Sequence, residues 1–290
     1  MATLSVVVVN WNAGLALGEC LDALFASEPT GAPLEVFVVD NASTDGSPAR
    51  ALRGHSGVRL IQNRENAGFA RAANQALREA GGELTLLLNP DVVLAPTALP
   101  RLADFLTDHA EAAAAGPKLL NPDGSLQGSA RRDPSPWTGL FGRTTLLTRL
   151  FPGNPLSRRE LPALGQQGDA PLEVDWVSGA CLMVRRAAYE RVGLLDERFF
   201  LFWEDADWCR RFRQAGWKVY YVPAACGTHQ VGVSRRHRRV GSEIDFHRSA
   251  YRFYRKHHVE SAAHPMRLLL AAGLLVSLGT RVLRAVWTRR

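Results

Sequence analysis

Residues 35–47 read EVFVVDNASTDGS, and their order of residue types decides the fold. The apolar run from Glu35 to Val39 favours a buried strand, while the small polar residues after it suit a turn or a helix start. The same succession recurs at Leu4 to Val9, which stops at Asn10 and Asn12, and at Leu84 to Leu88, which stops at Asn89 and Asp91. Helical periodicity fills the intervals, from Leu15 to Phe25 and from Phe69 to Ala80. This alternation predicts βαβ units and an α/β fold whose mainly parallel central sheet is flanked by helices. Ligands of open α/β sheets bind beyond the carboxyl ends of the strands. A site is therefore expected along the edge marked by Asn10, Asp40 and Asp91.

Outward from this core the pattern changes. Residues 133–167 are rich in Pro, Gly and Arg and read as a long irregular excursion. Strand character returns from Ala180 to Val184 and in KVYYVP, residues 218–223, with LDERFFLFWEDADWCRRFRQAG between them and a C-cap-like Gly216. Ser242 to His257 predicts one more helix.

With 290 residues, 46% of them hydrophobic and 22% charged, the chain is of globular type. The net charge of +7 is unevenly placed: residues 1–230 carry 22 basic against 25 acidic side chains, and residues 231–290 carry 13 against 3. Cys20, Cys181, Cys209 and Cys226 form neither a C-x-x-C pair nor a zinc-finger spacing, which argues against a disulfide framework or structural zinc and for a reducing cytoplasm. The apolar run at the start lacks a basic n-region and breaks at Asn10, so it reads as a strand rather than a signal peptide. No G-x-x-x-x-G-K-[ST], strand-following G-x-G-x-x-G, H-E-x-x-H or G-x-S-x-G occurs, which removes the main support for nucleotide-triphosphate, dinucleotide, zinc-protease and serine-hydrolase readings.

Four segments carry the chemistry. In VVDNASTDGS (38–47), Asp40 can accept a hydrogen bond from an imide or sugar hydroxyl, or it can tie a turn and cap a helix. In NRENAGFARAANQAL (63–77), Gly68 would let backbone amides approach a phosphate, or it marks an ordinary loop-to-helix junction. In LLLNPDV (86–92), Asp91 after a buried strand could hold Mg²⁺ or Mn²⁺ against a diphosphate, or belong to a turn. In FFLFWEDADWCRRF (199–212), the carboxylates of Glu204, Asp205 and Asp207 could satisfy a helix dipole. Alternatively, aromatic neighbours could raise one of them into general-base range. Residues two apart on a helix face different ways, so Asp205 and Asp207 are not expected to serve one atom.

Taken in order, VVVVNWN, VVDNASTDGS, NAGFARAANQA, NPDV, WVSGACLMVRR, LDERFFLFWEDADWCRR and HQVGVS resemble the glycosyltransferase family 2 enzymes of GT-A fold, in their rhamnosyltransferase-like branch. The resemblance covers most of residues 3–235. It implies a Rossmann-like GT-A catalytic domain over 1–230, with a nucleotide-binding half (1–120) and an acceptor and catalytic half (121–230). Residues 231–290 are then a basic, partly apolar helical extension. It also implies an inverting transferase using a nucleotide-diphosphate sugar. On this mapping Asp40 and Asn41 lie at the nucleotide, and Asn10, Asn12, Asn66 and Gly68 line ribose and diphosphate. Ser178 and Gly179 leave room for the donor sugar and acceptor. Asp91 takes the metal position of the D-x-D motif, with Asn89 in place of its first Asp, and His229 completes the metal shell. Asp205 becomes the general base and Glu204 its neighbour. dTDP-rhamnose is the implied donor, with UDP-hexoses and UDP-N-acetylhexosamines as alternatives.

The extension supplies the remaining expectations. RRHRR (235–239) with Arg248, Arg252, Arg255 and Lys256 could grip phosphates. The uninterrupted apolar stretch Leu268 to Thr280 falls short of the ~20 residues that span a bilayer, but Leu268 to Val286 could lie in its interface with its Arg residues at headgroup level. This predicts a peripheral enzyme at the inner face of the cytoplasmic membrane acting on a glycan or polyprenyl-diphosphate-linked acceptor. The alternative is a helix that packs on the core or on a second subunit. A nucleic-acid-binding protein and a non-catalytic nucleotide-sugar module are the competing classes, and the first leaves the strand-end carboxylates unexplained.

Overall fold

The computed structural model describes residues 3–133, 162, 168–232, 238–258, 268 and 271–279. The expected excursion lies almost wholly outside the described residues, as do most of RRHRR and the end of the apolar stretch.

The three strands expected at the core are present as β1 (Leu4–Asn10), β2 (Leu34–Asp40) and β4 (Leu84–Leu88), with β3 (Val58–Gln62) added at the edge. They pair in parallel in the order β3-β2-β1-β4, with Asn10 beside Asp40 and Val8 beside Leu88. Helices α1 (Ala16–Phe25), α2 (Ser47–Ala51) and α3 (Phe69–Glu79) make the crossovers, and α4 (Ala98–Asp108) follows the short strand β5 (Val92–Leu94).

Beyond β4 the sheet becomes mixed. β10 (Cys181–Arg185) runs antiparallel between β4 and β6 (Ala112–Leu120), and β11 (Lys218–His229) runs parallel to β6. β5 and β8 (Leu172–Val174) pair antiparallel with β11. Six of these nine strands therefore share one direction, and their carboxyl ends define one edge. A separate two-stranded sheet joins β7 (Ala130–Arg131) to β9 (Trp176–Val177).

β6 was not anticipated, because AAAAGPKLL has a helical composition. Burial overrides propensity here. Ala112 to Ala115 are enclosed on both faces of the sheet, and at Gly116 a Cβ would meet the Val177 side chain at 2.9 Å, so only small residues fit.

Two apolar layers sandwich the sheet. Leu17, Leu21, Leu24, Leu102 and Leu106 cover one face, and Ala73, Leu77, Trp208, Phe212 and Tyr221 cover the other. Each fully buried Leu or Phe contributes about 1.5–3 kcal/mol relative to exposure. Helix α5 (Arg186–Val192) follows β10, and α6 (Glu204–Gln214) precedes β11, its chain turning at Gly216 with φ +89°. Helix α7 (Arg239–His257) is the helix expected in the extension. Phe253 and Tyr254 bury it against Phe199 and Ala206.

Among the described residues, no helix is long and apolar enough to cross a membrane.

Candidate active site

The carboxyl edge gathers the predicted residues, but they divide into two kinds. Asn10, Asp40, Asn41 and Gly68 are buried. Asn66, Asn89, Ser178, Asp205 and His229 keep part of their surface open.

The buried residues tie loops together. The Asn10 amide nitrogen lies 3.0 Å from Asp40 Oδ1, Ser43 Oγ and Ser47 Oγ. The Ser43 N–H donates to Asp40 Oδ2 at 3.2 Å, and the Thr44 N–H donates to Asn12 Oδ1 at 2.8 Å. Asn12 takes φ +49°, the left-handed region that Asn tolerates better than most residues. Asp40 is 1% exposed and performs the turn-tying role. Asn41 accepts from Asn63 Nδ2 and the Ala67 N–H, and it donates to Asn66 Oδ1 and the Gly68 carbonyl.

Gly68 sits at a tightly packed loop-to-helix junction. Its N–H donates to Asn66 Oδ1, and the next amide, Phe69 N–H, donates to the Phe200 carbonyl at 2.7 Å, so these helix-start donors are already engaged. Gly68 is needed because φ is +86° and a Cβ would come within 2.6 Å of the Phe200 carbonyl oxygen. The residue permits a close backbone approach, and the neighbour is the segment leading to Asp205.

The partly open residues surround the chemistry. Asn89 N–H donates to the Ala180 carbonyl at 2.8 Å, which joins the end of β4 to the start of β10. Gly179 N–H donates to Asp205 Oδ2 at 2.8 Å, and Ala206 N–H donates to Oδ1 at 2.8 Å. Two amides thus fix the Asp205 carboxylate in place. Burial raises its pKa above the ordinary Asp value, against the lowering effect of both amides and of the Arg131 charge. Glu204 is raised well above its usual value, by burial first and by the neighbouring Asp205 second, and its Oε2 has no hydrogen-bond partner. The preceding Phe202 and Trp203 hold φ of +66° and +71°, which for bulky residues is local strain at the start of α6.

Asp207 points elsewhere, as helical spacing requires. It pairs with Arg211 at 2.9 Å, Lys256 at 2.6 Å and His257 at 2.7 Å. Lys256 also reaches Asp196 at 2.8 Å. This corrects the expectation that Lys256 grips phosphate: it locks α7 to α6.

At the far end of the edge, His229 Nε2 lies 3.3 Å from Asp91 Oδ1, and His229 Nδ1 lies 3.0 Å from Gln127 Oε1. Gln127 Nε2 donates to the His229 carbonyl and to Asn121 Oδ1, each at 2.9 Å, which assigns the Gln127 oxygen to the imidazole. His229 Nδ1 therefore carries the proton, and in the neutral ring the Nε2 lone pair faces a carboxylate oxygen. Either a proton on Nε2 or a metal cation between the two atoms satisfies that contact. The pair fits a divalent ion, with Gln127 as the outer partner that sets the tautomer. Among the described residues no group of three or more His, Cys, Asp or Glu could hold a metal.

Gln127 and Arg131 were not singled out by sequence reasoning. Arg131 stacks over Trp176 at 4.9 Å and acts electrostatically on Asp205. Neither lies in a recognisable motif, and only the fold brings them to the edge.

The glycosyltransferase-like family 2 model matches residues 2–259. The chain belongs to that family. It is 33% identical over 282 residues to an N-acetylglucosaminyl-diphospho-decaprenol L-rhamnosyltransferase of Mycobacterium tuberculosis, covering 93% of this chain and 90% of that protein. It is 27% identical to a low-salt glycan biosynthesis hexosyltransferase of Haloferax volcanii, over 80% of this chain and 68% of that one. The fold is also that of a mannosyltransferase from Pyrobaculum calidifontis solved with GDP-Man and Mn²⁺, at TM-score 0.61 and 20% identity over 98% of this chain and 75% of that chain. GalNAc-T7, solved with UDP, GalNAc and Mn²⁺, superposes at TM-score 0.61 and 19% identity over 91% of this chain and 52% of that chain. The GT-A fold and the rhamnosyltransferase-like kinship expected from sequence are both borne out. The family match runs beyond residue 230 and takes in α7.

Proposed function

We propose that this family 2 glycosyltransferase is an inverting enzyme. It moves L-rhamnose from dTDP-rhamnose to a hydroxyl of a polyprenyl-diphosphate-linked sugar during cell-envelope polysaccharide synthesis. The reading of donor and acceptor rests on the relative whose printed name holds both a rhamnosyl and a diphospho-decaprenol group. The observation that carries the mechanism is the Asp205 carboxylate, held by the Gly179 and Ala206 amides on the open edge with its proton affinity raised by burial.

Asp205 accepts the proton of the acceptor hydroxyl as that oxygen attacks the anomeric carbon from the face opposite the nucleoside diphosphate. One displacement then inverts the centre without a covalent intermediate. The raised pKa makes Asp205 a stronger base than a free carboxylate, and the two amides keep it in line. Glu204 is too enclosed to serve the same proton, and its own proton affinity is raised by burial and by Asp205. Mg²⁺ or Mn²⁺, held by Asp91 and His229, would neutralise charge on the departing diphosphate. Asn66 and Ser178 border the donor, and Asn89 presents a neutral amide where a second carboxylate would bind the ion more tightly.

The enzyme works at the inner face of the cytoplasmic membrane. The exposed Leu268, Leu275 and Val276 of the extension, beside its excess of basic residues, support this.

The test is Asp205→Asn, which preserves shape and removes the base. Transfer is expected to fall by about 10²–10⁴-fold while donor binding, measured by calorimetry, stays close to wild type. Substantial transfer by the folded variant rejects Asp205 as the base.

A further inference from the structure

A cavity of about 200 Å³ lies where α7 meets the segment before α6, lined by Phe200, Arg238, Asp245, Arg248, Ser249 and Arg252. Its charges do not cancel. Arg238 bonds to Asp245 at 2.6 Å and stacks over the Phe200 ring at 5.1 Å, so this pair is internally satisfied. Arg248 and Arg252 have no carboxylate partner among the described residues, and both are exposed at the mouth. They stand one helical turn apart, an arrangement of like charges that weakens an isolated helix. Two adjacent guanidiniums turned into a recess match the geometry of phosphate oxygens, which planar N–H forks bind in bidentate fashion.

The Ser249 hydroxyl donates to the Leu201 carbonyl at 2.9 Å, so the recess adjoins, through Phe200 and Ser249, the segment that leads into Glu204 and Asp205. The donor diphosphate belongs at the other end of the edge, beside Asp91 and His229. With the donor diphosphate taken up there, the acceptor's diphosphate is the phosphate group left to fill a recess beside the segment that carries Asp205.

We propose that the recess seats the diphosphate of the lipid-linked acceptor, with Arg248 and Arg252 as its binding residues. The attached sugar then extends toward Asp205. This rests on the transferase reading above. It adds that the acceptor is recognised through its phosphates and not only through its sugar, and that α7 is part of the acceptor site. Lys256 and His257, turned the other way on Asp207, hold the helix at the angle that keeps the two arginines over the recess.

The test compares the full chain with the double variant Arg248→Gln/Arg252→Gln. The substrates are the polyprenyl-diphosphate sugar in detergent and the same sugar on a simple alkyl group. KM for the diphosphate acceptor is expected to rise at least about tenfold, with KM for the alkyl glycoside and donor hydrolysis within about twofold of wild type. Arg248→Lys/Arg252→Lys should recover part of the loss. In metal-free buffer, calorimetry with inorganic pyrophosphate should show a binding event in the wild type that the Gln variant lacks. That measurement stands even if the enzyme proves to use another sugar, since it needs no turnover. Unchanged KM with unchanged pyrophosphate binding overturns the proposal. So does an equal loss on both acceptors. If the Gln variant is impaired only in sedimenting with phosphatidylglycerol vesicles, the arginines serve a lipid headgroup and the proposal fails.

Discussion

Gly68→Ala separates two accounts of the loop before α3. In the structure a Cβ at this position meets the Phe200 carbonyl oxygen at 2.6 Å, Cδ2 at 2.8 Å and Cα at 3.0 Å. Two of the three are backbone atoms, so no rotamer change relieves the contact. The backbone, at φ +86° and ψ 165°, lies in a region reserved almost wholly for glycine, which costs about 1–3 kcal/mol for alanine. Overpacking against the Phe200 backbone adds about 1–3 kcal/mol. The sum of about 2–6 kcal/mol is a large part of the ordinary stability of a domain, and urea denaturation should show a lower midpoint. Relief comes from outward movement of Phe200, which breaks the Phe69 N–H bond to its carbonyl and drags the start of α6. A displacement of about 1 Å at the base costs on the order of 10²-fold in rate. The expected result at a temperature where the variant is folded is therefore a fall in kcat for transfer with little change in donor KM. A phosphate cradle at Gly68 would instead raise donor KM and spare kcat. Wild-type stability with a raised donor KM refutes the packing account.

Three further outcomes follow from the site. Gln127→Ala frees His229 Nδ1 and should weaken Mn²⁺ or Mg²⁺ by about 10–100-fold in metal titrations of turnover, with kcat recovered at saturating metal; an unchanged half-saturation point removes His229 from the metal shell. Asp207→Asn leaves Arg211, Lys256 and His257 facing a neutral group and should cost about 3–5 kcal/mol near neutral pH. Burial works against the charged Asp207, but His257, Arg211 and Lys256 outweigh it and hold its pKa below the ordinary value. Its contribution is therefore present above the unfolded pKa of about 3.9 and lost as pH falls through the folded value, so the gap between wild type and variant should close in acid; a constant gap contradicts the ion-pair account. Because Asp205 must be ionised to act and its pKa is raised, kcat/KM should fall on acidification along a limb centred above the usual Asp range, and a limb at or below about 4 speaks against it.

The sequence was legible wherever local composition and tertiary environment agreed. β1, β2 and β4 are apolar runs that the sheet buries on both faces, and their expected bounds fall within a residue or so of the observed ones. β6 was hidden because its alanines carry no strand preference, and only the close approach of Val177 explains their size. The polar strand ends were visible, but their partners were not. The family resemblance assigns Asn10, Asp40 and Asn41 to the donor, but says nothing of what they bond to within the chain. In the fold they face one another across loops separated by 22 to 37 residues, since buried polar groups must find partners whether or not a ligand is present. Gln127 and His229 meet across 102 residues, a distance no motif spans.

The placement of charge on α7 argues that the extension belongs to the catalytic body. A helix added only for solubility or for membrane attraction would scatter its cations toward water. Here Lys256 and His257 turn inward on the buried Asp207, three residues from the α6 start, and Phe253 and Tyr254 seal the same junction against Phe199 and Ala206. Asp205, one residue before Ala206, is held from its other side by Gly179. The candidate base is thus clamped between the sheet edge and the extension, and a chain cut after residue 230 would expose Asp207 as an underpaired buried carboxylate. The division between a mildly acidic body and a basic extension is therefore one of composition. In the fold, the inward cations of α7 hold the helix that carries the base, and the outward pair Arg248 and Arg252 faces the recess beside it.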